Sequence, residues 1–231
     1  MEGPAERIAR WSQSRCQSVP VAGLIARCPV AHKWKAPFRS LVLRETLFWR
    51  MHDLAQQTLI LTDRKNLLGA RILLRAGIET LALLIYLNQR MSAVVTGEYS
   101  FFDFDALTKQ LLLGSRTPGA SHAAIHVLKV LERAERDHPG LTSMYDRLSE
   151  SAHPNFDGVL YTYSSSDPEK YETSFSNRWA HVFGPEQEPA MAFVFAVFEH
   201  EYDKVWPERF DNLETWLRNN DGELEQKRNG I

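Results

Sequence analysis

The sequence feature that most constrains the fold is a long apolar run between Arg64 and Met91. It reads RKNLLGARILLRAGIETLALLIYLNQRM and is apolar almost all the way around a helix. A helix with this pattern is buried among other helices, as the central helix of a bundle is. Its most apolar part, residues 72–87, is short for a membrane span and contains Arg75 and Glu79. The run therefore predicts a core helix.

Helical periodicity continues on both sides of this run. From Pro37, the stretch PFRSLVLRETLFWRMHDLAQQTLIL spaces its apolar residues as one helix face does. Short helical pieces are predicted around residues 4–14 and 20–27, and an extended segment only near residues 159–163. Longer helices are predicted over residues 103–113, 121–137, 142–153, 168–183, 189–205 and 208–217. With about seven helices and almost no strand, the sequence predicts an all-α helical bundle.

Changes in composition divide the chain into three predicted regions. Residues 1–36 are broken by prolines and form an N-terminal arm. Residues 37–207 carry the helical pattern and form the main helical domain. Residues 208–231 form a C-terminal helix with a polar tail, which we expect to fray.

Composition excludes several classes of protein. The 231 residues include 27 Lys+Arg against 29 Asp+Glu, so the net charge is −2, and 44% are hydrophobic. Intrinsic disorder is excluded, as is binding of nucleic acid through bulk positive charge. The two cysteines are too few for a disulfide framework, and the N-terminus lacks the apolar core of a signal peptide. We therefore expect a cytoplasmic protein without a membrane partner.

One polar pair interrupts the apolar run. Arg75 and Glu79 are four residues apart and share one helix face, which Arg71 and Arg64 extend. Charges in so apolar a helix are compensated by a partner or face a cleft. Two interpretations stay open, a structural ion pair and the polar wall of a site.

A second polar group lies in the segment TSMYDRLSESAHPNFDG. Tyr145, Ser149 and His153 are spaced by four residues and form one ridge, flanked by Arg147 and Glu150. His153 lies at the predicted end of a helix, where the helix dipole favours an imidazolium. A histidine there, beside an arginine, suits acid–base chemistry on a phosphodiester. Alternatively, His153 bonds locally and shapes the turn.

Together, LLRAGIETLALLIYL and MYDRLSESAHPNFDG resemble an uncharacterised bacterial family of HEPN-like helical proteins, over roughly residues 40–205. Many members of the HEPN superfamily are metal-independent ribonucleases of toxin–antitoxin and phage-defence systems. Their signature is an arginine followed, after four to six residues, by a histidine. Arg147 and His153 match it, with five residues between them. Active members bring two copies of the motif together, so the resemblance implies a homodimer.

The resemblance also implies roles for residues. His153 would exchange a proton with the ribose 2′-hydroxyl or the leaving group, and Arg147 would stabilise the phosphate. Beyond the motif, our own hypothesis assigns substrate positioning to Tyr145, Ser149, Asn155, Arg75 and Glu79.

Two further interpretations remain. Leu148 stands where the ribonuclease motif usually has a polar residue, and Glu150 adds negative charge where a phosphate would sit. These residues favour a non-catalytic binding or regulatory module that keeps the fold, with a protein partner, an antitoxin or a nucleotide as ligand. A third interpretation makes the polar groups purely structural.

Other patterns predict no cofactor and no metal. The chain has no Walker loop, GxGxxG or GxSxG motif. His122 and His126 are four residues apart in a predicted helix, but no third ligand is evident. The aromatic residues of the 193–206 segment are interpreted as core or dimer packing.

Overall fold

The computed structural model describes residues 2–230, and its regular structure is almost entirely helical. Helix makes up 75% of the structure, and nine α-helices have seven or more residues within the described range, against about seven expected. The all-α prediction is confirmed. The helices are α1 Pro4–Ser14, α2 Val21–Arg27, α3 Pro29–His32, α4 Lys35–Asp63, α5 Leu67–Val95, α6 Phe101–Leu113, α7 Val127–Ala134, α8 Leu141–Ala152, α9 Tyr161–Tyr163, α10 Trp179–His200 and α11 Trp206–Asn229. Phe156–Leu160 and Glu201–Val205 are π-helical.

A short hairpin replaces the first part of the helix predicted over residues 168–183, of which only residues 179–183 are helical, within α10. Strands β1 (Ser164–Asp167) and β2 (Glu172–Phe175) pair antiparallel, with Ser164 opposite Phe175. The Asp167 carboxylate accepts from the backbone N–H groups of Glu169 and Lys170, at 3.0 and 3.2 Å. Pro168 therefore belongs to a turn closed by an aspartate, and does not open a helix.

The extended segment expected at residues 159–163 is also wrong in position. These residues are helical, and the strand begins at Ser164. The Asn155 side-chain oxygen accepts from the backbone N–H of Gly158 at 3.1 Å and so caps the first turn. This cap starts a helical segment where side-chain alternation alone predicts a strand.

Two predicted helix boundaries differ from those in the structure. Pro189 lies inside α10, and so does Pro185; both are exposed, so water can satisfy the carbonyl groups that they leave unbonded. The polar tail from Asp221, expected to fray, continues α11 to Asn229. Asp221 accepts from the Trp34 indole at 3.0 Å, and Glu225 pairs with Lys33 at 2.8 Å. These contacts hold the polar tail in a helix.

The chain divides into two compact units. The first contains the chain up to Ser14, Trp49–Ala82 and Leu131–Phe198; the second contains Arg15–Phe48, Leu83–Val130 and the chain from Glu199 onward. Helices α4 and α5 each contribute residues to both units. The division into an arm, a main domain and a tail stays a prediction, and Met1 and Ile231 lie outside the described residues.

Each unit has its own aromatic core. In the first, Trp11 of α1 packs edge-on against Phe195 and Phe198, with ring centroids 5.8 and 5.7 Å away. In the second, Trp206 stacks on Phe210 at 4.4 Å. The segment around residues 4–14, predicted to be helical, is therefore anchored by a buried tryptophan. Of the helices in residues 2–230, none is long and apolar enough to cross a bilayer.

Candidate functional site

Helix α8 carries the Arg147–His153 motif. The Glu135 carboxylate holds its N-terminal end by accepting from the backbone N–H groups of Gly140 and Thr142, both at 2.7 Å. These bonds lower the pKa of Glu135. Gly140 has φ +95°, a left-handed conformation that suits glycine. The helix begins at Leu141, one residue before the predicted Thr142, and ends with His153 as its C-cap.

The two motif side chains are both accessible. Arg147 and His153 are exposed, and neither side chain makes a hydrogen bond or ion pair with another described residue. Arg147 lines a cleft, whereas His153 is outside its lining. Leu148, between them, is buried. The structure therefore presents both groups on the same helix but brings only Arg147 to the cleft.

Tyr145 connects α8 to the charged pair of α5. Its hydroxyl accepts from Arg75 at 2.9 Å and donates to Glu79 at 3.0 Å. Arg75 and Glu79 themselves are 3.6 Å apart, and the arginine also lies over the tyrosine ring at 5.0 Å. Tyr145 is only 4% exposed. These three residues, all assigned to substrate positioning from the sequence, thus form one cluster, which ties α8 to α5.

Ser149 and Asn155 occupy different surroundings. The Ser149 hydroxyl oxygen is buried and has no hydrogen-bond partner among the described residues. The Asn155 side-chain amide donates a hydrogen bond to the Glu150 carboxylate. A Cβ atom on Gly158 would lie 2.0 Å from the His153 carbonyl oxygen, so only glycine fits the turn that follows the motif. The turn after α8 is closely specified, and it directs Glu150 toward Asn155.

A cleft of about 460 Å³ lies between α5, α8 and α10 of the first unit. Its charged residues are Arg71, Arg147 and Glu186. Its apolar walls are formed by side chains of α8 and α10, namely Met144, Leu148, Pro185, Pro189, Ala190 and Phe193. This volume is in the range of small-molecule sites.

Arg71 is the buried charge of this cleft. It is 2% exposed, donates to the Ser151 hydroxyl at 2.8 Å and to the Arg147 carbonyl at 3.3 Å, and lies 4.1 Å over the Phe183 ring. Within residues 2–230, no carboxylate lies within ion-pair distance of it. Burial lowers the pKa of Arg71 to about 10; Glu186 opposes that shift, and Arg147 adds to it. Arg71 is therefore still a cation at neutral pH.

Sequence reasoning placed Arg71 on a basic stripe but gave it no role. The stripe is also shorter than predicted, because Arg64 precedes the start of α5 at Leu67. Phe193, interpreted as packing, is 36% exposed and lines the cleft. The signal that could have identified Arg71 is an arginine flanked by apolar residues in ARILL, without an acid one turn away.

His122 and His126 do not share a helix. Both precede α7, which begins at Val127, because Ser115 and Ala124 pair through their backbones and Gln110 binds the Ala123 carbonyl at 2.9 Å. Among the described residues, no group of three or more His, Cys, Asp or Glu side chains is arranged to hold a metal ion.

Comparisons of this chain with protein-family models, curated proteins and solved structures find no match.

Proposed function

We propose that this protein is a HEPN-like helical protein that acts on RNA as a metal-independent endoribonuclease. The observation that carries the proposal is the exposure of Arg147 and His153 on the last turns of α8, with both side chains free of partners among the described residues. A free guanidinium can bind a scissile phosphate, and a free imidazole can exchange protons. The cluster of Arg75, Tyr145 and Glu79, in which Tyr145 is buried, holds their helix to α5.

The proposal includes a homodimer. One chain supplies one arginine and one histidine, and the resemblance implies that cleavage needs two copies of the motif facing each other. The exposure of both side chains leaves this end of α8 open to a second copy. Light scattering on the purified protein should give twice the mass of the 26.5 kDa chain.

The test is RNA cleavage in EDTA. Wild type should cut a single-stranded RNA, and His153→Ala should lower the rate by about 100-fold or more, as loss of a general acid or base does. Arg136→Ala is the matched control, because Arg136 is exposed in the same unit and outside the cleft. An RNA with 2′-deoxyribose at the cut site should resist. Equal rates for wild type and His153→Ala would refute the catalytic assignment.

A second candidate function is a non-catalytic binding module. It is favoured by Glu150, whose carboxylate lies within the motif segment and accepts a hydrogen bond from Asn155, so this segment carries a negative charge that disfavours a phosphate. This candidate predicts no cleavage but a stable complex with RNA, a nucleotide or a protein such as an antitoxin. Arg147→Ala should weaken the complex, whereas Arg136→Ala should not. Pull-down and fluorescence anisotropy distinguish the two candidates, since only the first predicts shorter RNA products.

A further inference from the structure

The cleft of the first unit carries an excess of positive charge. Arg71 and Arg147 contribute two cations and Glu186 one carboxylate, so one positive charge remains. Asp157 attracts Arg71 more weakly and does not line the cleft. A buried cation without a paired anion is costly, and a bound anion would relieve that cost. The charge balance thus favours a ligand that brings one negative charge.

The walls of the cleft determine what the rest of that ligand must be. They are apolar, with Leu148 of α8 on one side and Phe193 and the two exposed prolines of α10 on the other. The Phe193 ring is flat and the two proline rings are apolar, so this wall suits contact with a flat apolar body. A volume of about 460 Å³ holds a molecule of one or two fused rings, in the range typical of small-molecule sites.

We propose that this cleft is a binding site for a small organic monocarboxylate with a flat apolar body. The carboxylate binds the Arg147 guanidinium at the surface and faces the Arg71 charge below it. The apolar body lies between α8 and α10. Glu186 sets the selectivity, because its carboxylate repels a second negative charge and so disfavours phosphate monoesters.

This site does not depend on RNA cleavage. His153 lies outside the cleft lining, so the His153→Ala variant separates the two proposals. It should lose RNA cleavage while its affinity for the carboxylate stays within about twofold. In wild type, RNA cleavage without carboxylate binding overturns the carboxylate site alone, and carboxylate binding without RNA cleavage overturns the ribonuclease alone.

The experiment uses the full chain and a matched pair of probes, naphthalene-2-carboxylate and the neutral naphthalene-2-methanol. Titration calorimetry should show the acid binding about tenfold more tightly than the alcohol, as expected for one charge-assisted hydrogen bond. Arg147→Ala should remove that tenfold preference, whereas Arg136→Ala should keep it. Arg147 is exposed, so its replacement should leave the fold intact.

Two further variants locate the site. Ala190→Trp fills the cleft and should abolish binding of both probes. Glu186→Gln should raise the affinity for the acid about threefold and that for naphthyl phosphate more strongly, since like-charge repulsion is removed. Equal affinity of wild type for the acid and the alcohol would overturn the proposal. So would unchanged binding of the acid in Arg147→Ala or in Ala190→Trp.

Discussion

Arg44 in the second unit lies against the Glu45 carboxylate and 3.5 Å over the Tyr202 ring, whereas Arg71 in the first unit reaches no carboxylate at ion-pair distance. Both arginines are largely buried, and both lie over an aromatic ring. Arg39 of the second unit repeats the paired arrangement, 2.8 Å from Asp105. The two units thus differ in how a buried guanidinium is neutralised.

This difference distinguishes an arginine whose charge is neutralised within the fold from one whose charge is available to a ligand. In the second unit, the chain itself supplies the anion, so the Arg44–Glu45 pair is complete and holds α4 to the Tyr202 hydroxyl, which donates to Glu45 at 2.8 Å. In the first unit, Arg71 is held by a hydroxyl and a carbonyl, which are neutral. A charge held by neutral groups keeps its electrostatic attraction for an outside anion.

The largest loss of stability is expected where one partner of a buried ion pair is removed. Glu45→Ala leaves Arg44 buried without its anion and removes the acceptor of Tyr202, so the free energy of unfolding should fall by about 3 kcal/mol. Denaturant unfolding measures it. Glu45→Gln keeps an acceptor for Tyr202 and should cost less. As a control, Glu208→Ala removes an exposed acid 3.5 Å from Arg209 and should change stability by under about 0.5 kcal/mol.

Arg71→Met tests the other half of the comparison. It removes the hydrogen bonds to the Ser151 hydroxyl and the Arg147 carbonyl and the contact with Phe183, but it leaves no carboxylate without its partner and removes a desolvated charge. The loss should be about 1.5 kcal/mol, roughly half of that for Glu45→Ala. A loss of 3 kcal/mol or more would mean that Arg71 is neutralised within the fold, and the contrast between the units would disappear.

Tyr145→Phe probes a charged cluster with much less burial. Side-chain exposures of Arg75 and Glu79 are 31% and 30%, so water and the direct pair can replace the lost hydroxyl. The expected loss in unfolding free energy is about 1 kcal/mol. A loss near 3 kcal/mol would place this cluster with the buried pairs of the second unit.

Helix content was predictable because apolar spacing is local information. The segments around residues 4–14 and 20–27 are helical as expected, and so is the long apolar run that forms α5. The wrong predictions fall on segments whose backbone conformation is determined by a few side-chain hydrogen bonds. Asp167 closes a turn where Pro168 suggested a helix, and Asn155 caps a helical segment where alternation suggested a strand.

The candidate site was predictable in part. The spacing of Arg75 and Glu79 indicated a shared face, and the structure brings both to Tyr145, which was predicted to position substrate with them. The cleft was not predictable, because it depends on α10 lying beside α8 and α5 within the first unit. Arg71 and Phe193 are 122 positions apart in the sequence, and no local pattern relates them.

The sequence by itself determined the all-α class, the central apolar helix and the end of α8 at His153, since each depends on spacing or on a single proline. Only the tertiary structure decided which charges are neutralised. An arginine in an apolar helix looks the same in the sequence whether a carboxylate meets it or not. Packing brings Tyr202 against the Arg44–Glu45 pair and completes it, but it brings only neutral acceptors to Arg71. The distance from the guanidinium to a carboxylate therefore distinguishes a structural ion pair from a site open to an anion.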